Sequence, residues 1–220
     1  MLNSYKMGLF NKPHLMGLGL ALIITIMLFV LAKPFDKKKY GKFLGVFIIL
    51  AKMFDIYLRV FVEKYPPFES LPFHFCNISI LLSGIYLITR NKYMFSMIYC
   101  WGYGAFLTLL IPTSFVFTTY SYVIFFFLTH SLILATIIYG YKYYNHRVSF
   151  KGYILSLILL VIAIINAHFW NVRLGTNFMY LSDYILPIVK FIPFNIYLVL
   201  LFVLHVFAIT SSYLIGKKLK

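Results

Sequence analysis

Ionisable and amide side chains are scarce in this sequence, and most of those able to do chemistry fall in or beside long apolar runs. Lys52, Asp55, Arg59 and Glu63 follow one another at steps of three, four and four, which puts all four on one face of a helix. Two positive and two negative charges cancel. The set reads as a self-neutralised ladder that locks one helix to its neighbours, or as a polar wall for a head group or solute. The zero sum argues against a simple ion pathway.

A second group lies in Ser70-Leu71-Pro72-Phe73-His74-Phe75-Cys76-Asn77. Pro72 suits the first turn of a helix. In such a helix His74, Asn77 and Leu81 share one face, and Cys76, Ser79 and Ser83 share the other. His74 and Cys76 then cannot form a dyad, because i and i+2 diverge; they can act together only if this stretch is extended. Cys76, Ser79 and Ser83 also read as a seam of small residues for helix packing. His130, within Thr129-His130-Ser131, stands among Phe126, Phe127, Leu134 and Ile137. It is either a structural histidine or a neutral imidazole fit for general-base work. His205 is a weaker case of the same kind, and His14 and His146 are expected near solvent or the membrane interface. The stretch 171–183 concentrates Asn171, Arg173, Asn177, Tyr180 and Asp183. It is either an ordinary capped loop or, with His74, the rim of a polar cavity.

The elements that carry these residues follow from composition. The 220 residues are 62% hydrophobic and 11% charged, with mean hydropathy +0.90. A soluble domain is about a quarter charged, so an ordinary soluble enzyme is excluded. The abundance of Phe, Tyr, Ile and Leu excludes disorder. Seven apolar runs, 13–32, 43–62, 72–89, 94–111, 118–140, 150–170 and 196–216, are expected as transmembrane helices of a single membrane domain, residues 1–220. The first ends without a small-residue cleavage site and reads as a retained helix. Residues 181–194 carry Pro187 and Pro193, are too short to span, and read as an interfacial or re-entrant piece. The expected fold is therefore an all-α polytopic membrane protein.

The net charge is +15. Lys33, Lys37, Lys38, Lys39, Lys42, Arg90, Lys92, Lys142, Arg147, Lys151, Lys217, Lys218 and Lys220 fall on one side of the seven-span scheme. Lys6, Lys12, Lys64, Arg173 and Lys190 fall on the other. This asymmetry predicts an outside N-terminus, a cytoplasmic C-terminus and a multi-pass protein of the cell membrane. The basic residues serve topology and lipid head groups, so no nucleic-acid partner is expected. The two cysteines, Cys76 and Cys100, make no zinc spacing or disulfide framework. There is no glycine-rich phosphate loop and no metal cluster, and no cofactor is expected.

Taken in order, Leu71-Pro72-x-His74-x-Cys76, Trp101-Gly102 with Pro112, Thr129-His130-Ser131, and Asn171-x-x-x-Gly175-Thr176-Asn177-x-Met179-Tyr180-Leu181 resemble the YwaF-like family of bacterial integral membrane proteins. The likeness covers about residues 40–215. That family is related to the transmembrane protein 164 acyltransferase group. The resemblance implies a seven-helix fold and phospholipid acyl transfer by an intramembrane nucleophile. In the animal branch the reactive cysteine directly precedes the histidine; Phe73 holds that position here. His74 and His130 carry over, and Phe178 stands where many bacterial relatives have Tyr.

The expected function is that of a lipid-active membrane enzyme, performing phospholipid acyl transfer or ester hydrolysis in the outer half of the bundle. The expected catalytic residues are His130 as general base, His74 as a second acid/base or oxyanion donor, and Cys76 as nucleophile if its geometry is non-helical. Asn77, Asn171, Arg173, Asn177, Tyr180 and Trp101 are expected to bind substrate, a membrane phospholipid. Two alternatives from other classes stand beside it. One is a solute-binding module such as an importer's substrate-capture subunit. The other is a non-catalytic structural membrane protein.

Overall fold

The computed structural model describes residues 4–112 and 115–219. Lys220 of the charge count lies outside them. Seven main helices run in order: α1 (Lys12–Leu31), α2 (Lys37–Tyr57), α3 (Phe75–Thr89), α4 (Lys92–Leu110), α5 (Tyr120–Tyr143), α6 (Phe150–Leu174) and α7 (Phe194–Lys218). Five of them, α1, α4, α5, α6 and α7, are long and apolar enough to cross a membrane. The second helix carries more charge, and α3 has only 15 residues. Two short strands, β1 (Tyr5–Lys6) and β2 (Val116–Phe117), pair antiparallel.

Local signals explain the helix ends. Asp36 caps α2 by accepting from the Lys39 N–H, so the helix starts within the basic run, ahead of the expected residue 43. Asn11, Asn91 and Ser149 cap α1, α4 and α6 in the same way. Helix α3 starts later than expected. Pro72 is not in its first turn but at the centre of a three-residue turn closed from Phe73 N to Leu71 O. His74 follows as the N-cap, with extended backbone.

Interior packing depends on small residues. A Cβ on Gly45 would stand 2.7 Å from the Gly84 carbonyl oxygen, so the α2–α3 crossing requires glycine there. Ser79 and Ser83, both buried on the same face of α3, donate to the carbonyls four residues earlier and need no outside partner. Helix α5 runs through the centre, with most of its apolar window buried, while little of the α7 window is buried. Val203, Leu204 and Phe207 of α7 face outward, as do Ile23, Ile26 and Met27 of α1. An apolar coat of that extent fits lipid, not water. Residues 181–193 form turns with one 3-10 segment, Pro187–Val189, and leave Ile188 and Phe191 exposed. The piece lies on the surface and does not re-enter the bundle.

The connections segregate to two ends. At one end β1 pairs with β2, Glu63 meets Thr118 and Thr119, and Met179 meets His74. At the other end Tyr139 reaches Lys37, Tyr86 reaches His146 and Ser96 reaches Ser149. The lysine-rich connections all belong to this second end.

Candidate functional site

The charged row on α2 does not close on itself. Lys52 Nζ is 2.6 Å from Asp55 Oδ2, and both side chains are buried. Arg59 Nε stands 3.8 Å from the same oxygen, within ion-pair range but too far for a hydrogen bond. From Leu58 to Val62 the chain makes a π-helical turn, closed by Glu63 N to Leu58 O. Glu63 is the residue that ends this turn. Its carboxylate instead accepts from the N–H and hydroxyl groups of Thr118 and Thr119, at the start of α5. A helix N-terminus is a favourable place for an anion. The expected neutral ladder of four is thus corrected. Glu63 is spent on α5, and Lys52, Asp55 and Arg59 carry one net positive charge in the interior.

Arg59 lies against the Tyr122 ring, 5.4 Å away, and makes no hydrogen bond among the described residues. Asp55 Oδ1 and the Tyr103 hydroxyl on α4 are buried and have no hydrogen-bond partner among the described residues. Polar atoms at such depth are ordinarily paired.

His74 caps α3 at the Glu63 end. Its Nδ1 accepts from Met179 N at 3.3 Å, and Nε2 has no hydrogen-bond partner among the described residues. Phe178 and Tyr180 pack against its ring. Met179 and Tyr180 both have left-handed backbone, with φ of 54° and 59°, a costly conformation for bulky side chains. Asn171 holds it in place. Its amide accepts from Phe178 N and the Thr176 hydroxyl and donates to Phe178 O. The expected cavity loop does meet His74, but Asn171 is consumed in shaping it.

His130, on α5, bonds through Nδ1 to the Phe126 carbonyl at 2.6 Å. Nδ1 therefore carries the proton, and Nε2 is a free acceptor among the described residues. Lys52 and Arg59 act electrostatically on both His74 and His130. No hydrogen bond joins the two imidazoles. Cys76 Sγ lies 3.9 Å from the Thr108 hydroxyl on α4 and 3.6 Å from the Cβ position of Gly104. Lys52, Tyr103 and Tyr180 share its electrostatic surroundings. The Asn77 backbone N–H bonds the His74 carbonyl, and its side-chain amide makes no hydrogen bond among the described residues. Arg59, His74, Cys76, Asn77, Tyr103, His130 and Tyr180 are each partly accessible, whereas Lys52 and Asp55 are buried.

Other expected site residues stand apart. Arg173 is exposed at the end of α6, over the Phe169 ring. Asn177 uses its amide on Ser182 and Asp183 within its own loop. Trp101 is buried, stacked on Phe75 at 4.1 Å, and donates to the Ser156 carbonyl. Phe73, at the position of the animal cysteine, stacks on Trp170. His14 corrects the expectation of an interfacial group. It is fully buried, accepts from Phe10 N, bonds Leu109 O at 3.0 Å, and stacks between Phe10 and Phe127. Tyr103 was not foreseen; nothing in its local sequence sets it apart from the other tyrosines.

An apolar cleft of about 370 Å³ runs between α6 and α7, lined by residues including Ile164, Met179, Leu181, Phe202 and His205. The His205 ring touches Phe75 and Tyr103, so the cleft borders the polar interior. Among the described residues, no cluster of three or more His, Cys, Asp or Glu could hold a metal ion.

The model of the TMEM164 family matches residues 9–215. An uncharacterised protein of Treponema pallidum (strain Nichols) is 34% identical over 130 residues, covering 59% of this chain and 55% of that protein. The chain thus aligns with little more than half the length of that relative. No solved structure matches. With the match running from the residues before α1 into α7, the chain belongs to the TMEM164 family.

Proposed function

We propose that the protein is a seven-span, multi-pass enzyme of the cell membrane that acts on phospholipid esters, by acyl transfer or hydrolysis. The N-terminus lies outside and the C-terminus in the cytoplasm, because the basic connections gather at the end opposite β1 and β2. The observation that carries the reading is a set of polar groups on α2 to α5 and their flanking turns that have no hydrogen-bond partner among the described residues: Arg59, the Asn77 side chain, the Tyr103 hydroxyl and the Nε2 atoms of His74 and His130. The α6–α7 cleft supplies an apolar wall for an acyl chain beside it.

In the simplest chemistry His130 Nε2 takes the proton of an acceptor alcohol or water as its oxygen attacks the ester carbonyl. The C–O bond to the lysolipid then breaks, and His130 returns the proton to the leaving oxygen. Asn77 and Tyr103 can donate to the developing oxyanion. Cys76 faces Thr108, which supports a packing role over a nucleophilic one. Arg173 and Asn177, engaged elsewhere, take no part.

The test is lipid mass spectrometry on the purified chain in nanodiscs of diacyl phosphatidylethanolamine with a lysophospholipid acceptor. Turnover lost in His130→Ala and largely kept in Cys76→Ser supports this route. A thioester adduct in the parent, absent in Cys76→Ser, would reassign the nucleophile to Cys76. No turnover and no adduct would favour a binding module or a structural protein. A reporter fused after the last residue should be active only in its cytoplasmic form.

A further inference from the structure

Resting on the lipid reading above, we propose that Arg59 is the site's anion-binding residue and holds the phosphate of a membrane phospholipid. Three observations converge. The carboxylate that α-helical spacing would set beside Arg59 is Glu63, and Glu63 is committed to four hydrogen bonds at the start of α5. The remaining carboxylate, Asp55, is already bound by Lys52 at 2.6 Å, so one positive charge is left over. The guanidinium finds no hydrogen-bond acceptor among the described residues, yet its side chain keeps 21% of its accessible surface.

Two cations that share one carboxylate are incompletely compensated, and an anion from outside the chain can supply the missing charge. A guanidinium presents a rigid fork of donors that matches a phosphate. Arg59 lies near the end of the bundle that carries His74 and the 175–180 loop, in the π-helical turn that follows α2, where a head group enters from the leaflet. The Tyr122 ring lies 5.4 Å from Arg59 and accepts none of its N–H groups. The bonds of Glu63 to Thr118 and Thr119 make this arrangement, because they leave Arg59 with only the shared Asp55 carboxylate.

The experiment measures binding to the full chain in detergent by native mass spectrometry. The probes are phosphatidylethanolamine, diacylglycerol of the same chains, and inorganic phosphate. The parent should prefer the phospholipid over diacylglycerol by about tenfold or more, as a charge-assisted hydrogen bond provides. Inorganic phosphate should compete poorly, because the acyl chains add affinity. Arg59→Gln should fold, since it leaves the Lys52–Asp55 pair neutral, and should lose the preference. Arg59→Lys should keep part of it.

No preference in the parent, or a preference that survives Arg59→Gln, would overturn the proposal. So would an Arg59→Gln chain that fails to fold, because Arg59 would then be part of the scaffold. Inorganic phosphate that matches the phospholipid would overturn the lipid source. Binding without turnover would defeat the enzymatic reading and leave the anion site standing; turnover without the preference would do the reverse.

Discussion

Removing the Asp55 carboxylate should be among the most damaging single changes in this protein. In Asp55→Asn the Lys52 ammonium loses its 2.6 Å partner and Arg59 loses its nearest anion. Glu63 cannot substitute, because it is held by Thr118 and Thr119. The interior charge rises from one net positive to two. Breaking a buried pair by removing one partner costs about 3–5 kcal/mol. By the scaling of soluble proteins of this size, that lowers the unfolding temperature by roughly 6–20 °C. Thermal unfolding in one detergent, followed by tyrosine and tryptophan fluorescence, measures the shift. The decisive variant is the double change Lys52→Met with Asp55→Asn, which returns the interior to one net positive charge. It should recover most of the loss. A single variant as stable as the parent would refute the reasoning, and so would a double variant no better than the single.

Asn171→Ala strips a buried amide from Phe178 and Thr176. It should cost about 3 kcal/mol and loosen the 175–180 loop, read as faster hydrogen exchange at Met179. His146, in the connection after α5, has its basicity pushed down by burial and by the nearby Arg90 and Lys92 charges. Its Nδ1 and the Tyr86 hydroxyl are 2.8 Å apart, and the hydroxyl donates when the ring is neutral. Protonation is therefore easier in the unfolded chain. The contribution is fully present above the ordinary histidine value of 6.5 and declines as pH falls below it. Unfolding midpoints between pH 5 and 8 should show this decline in the parent and a smaller one in His146→Gln. Asp36, which caps α2, has its carboxyl held below its ordinary value, chiefly by the Lys39 N–H. Its contribution is present above that value and fades only at lower pH, so the two effects separate along the pH axis.

Helices are the part of this protein that sequence decides. Their hydrogen bonds close within the segment, so an apolar run bounded by Asn, Asp or Ser caps specifies its own structure. The seven runs read from the sequence correspond to the seven helices, with end shifts such as that of α3. The excess of lysine in alternate connections is also a one-dimensional property, and those connections do gather at one end. His74 beside the 175–180 loop was legible because both border the same end of the bundle.

What the sequence could not decide was which polar group meets which. Spacing placed Glu63 on the same face as Arg59, but its four bonds to Thr118 and Thr119 come from a connection more than fifty residues away. Asn171, Asn177 and Arg173 seemed equal candidates in one polar stretch. Only folding showed two amides spent on the loop itself and the guanidinium turned outward. His14 and Tyr103 could be placed in the interior only once α4 and α5 were packed around them. The physical reason is common to all of these. A helix is chosen by bonds between near neighbours, whereas the charge and hydrogen-bonding capacity left for a ligand is a remainder. It exists only after every distant partner has taken its share.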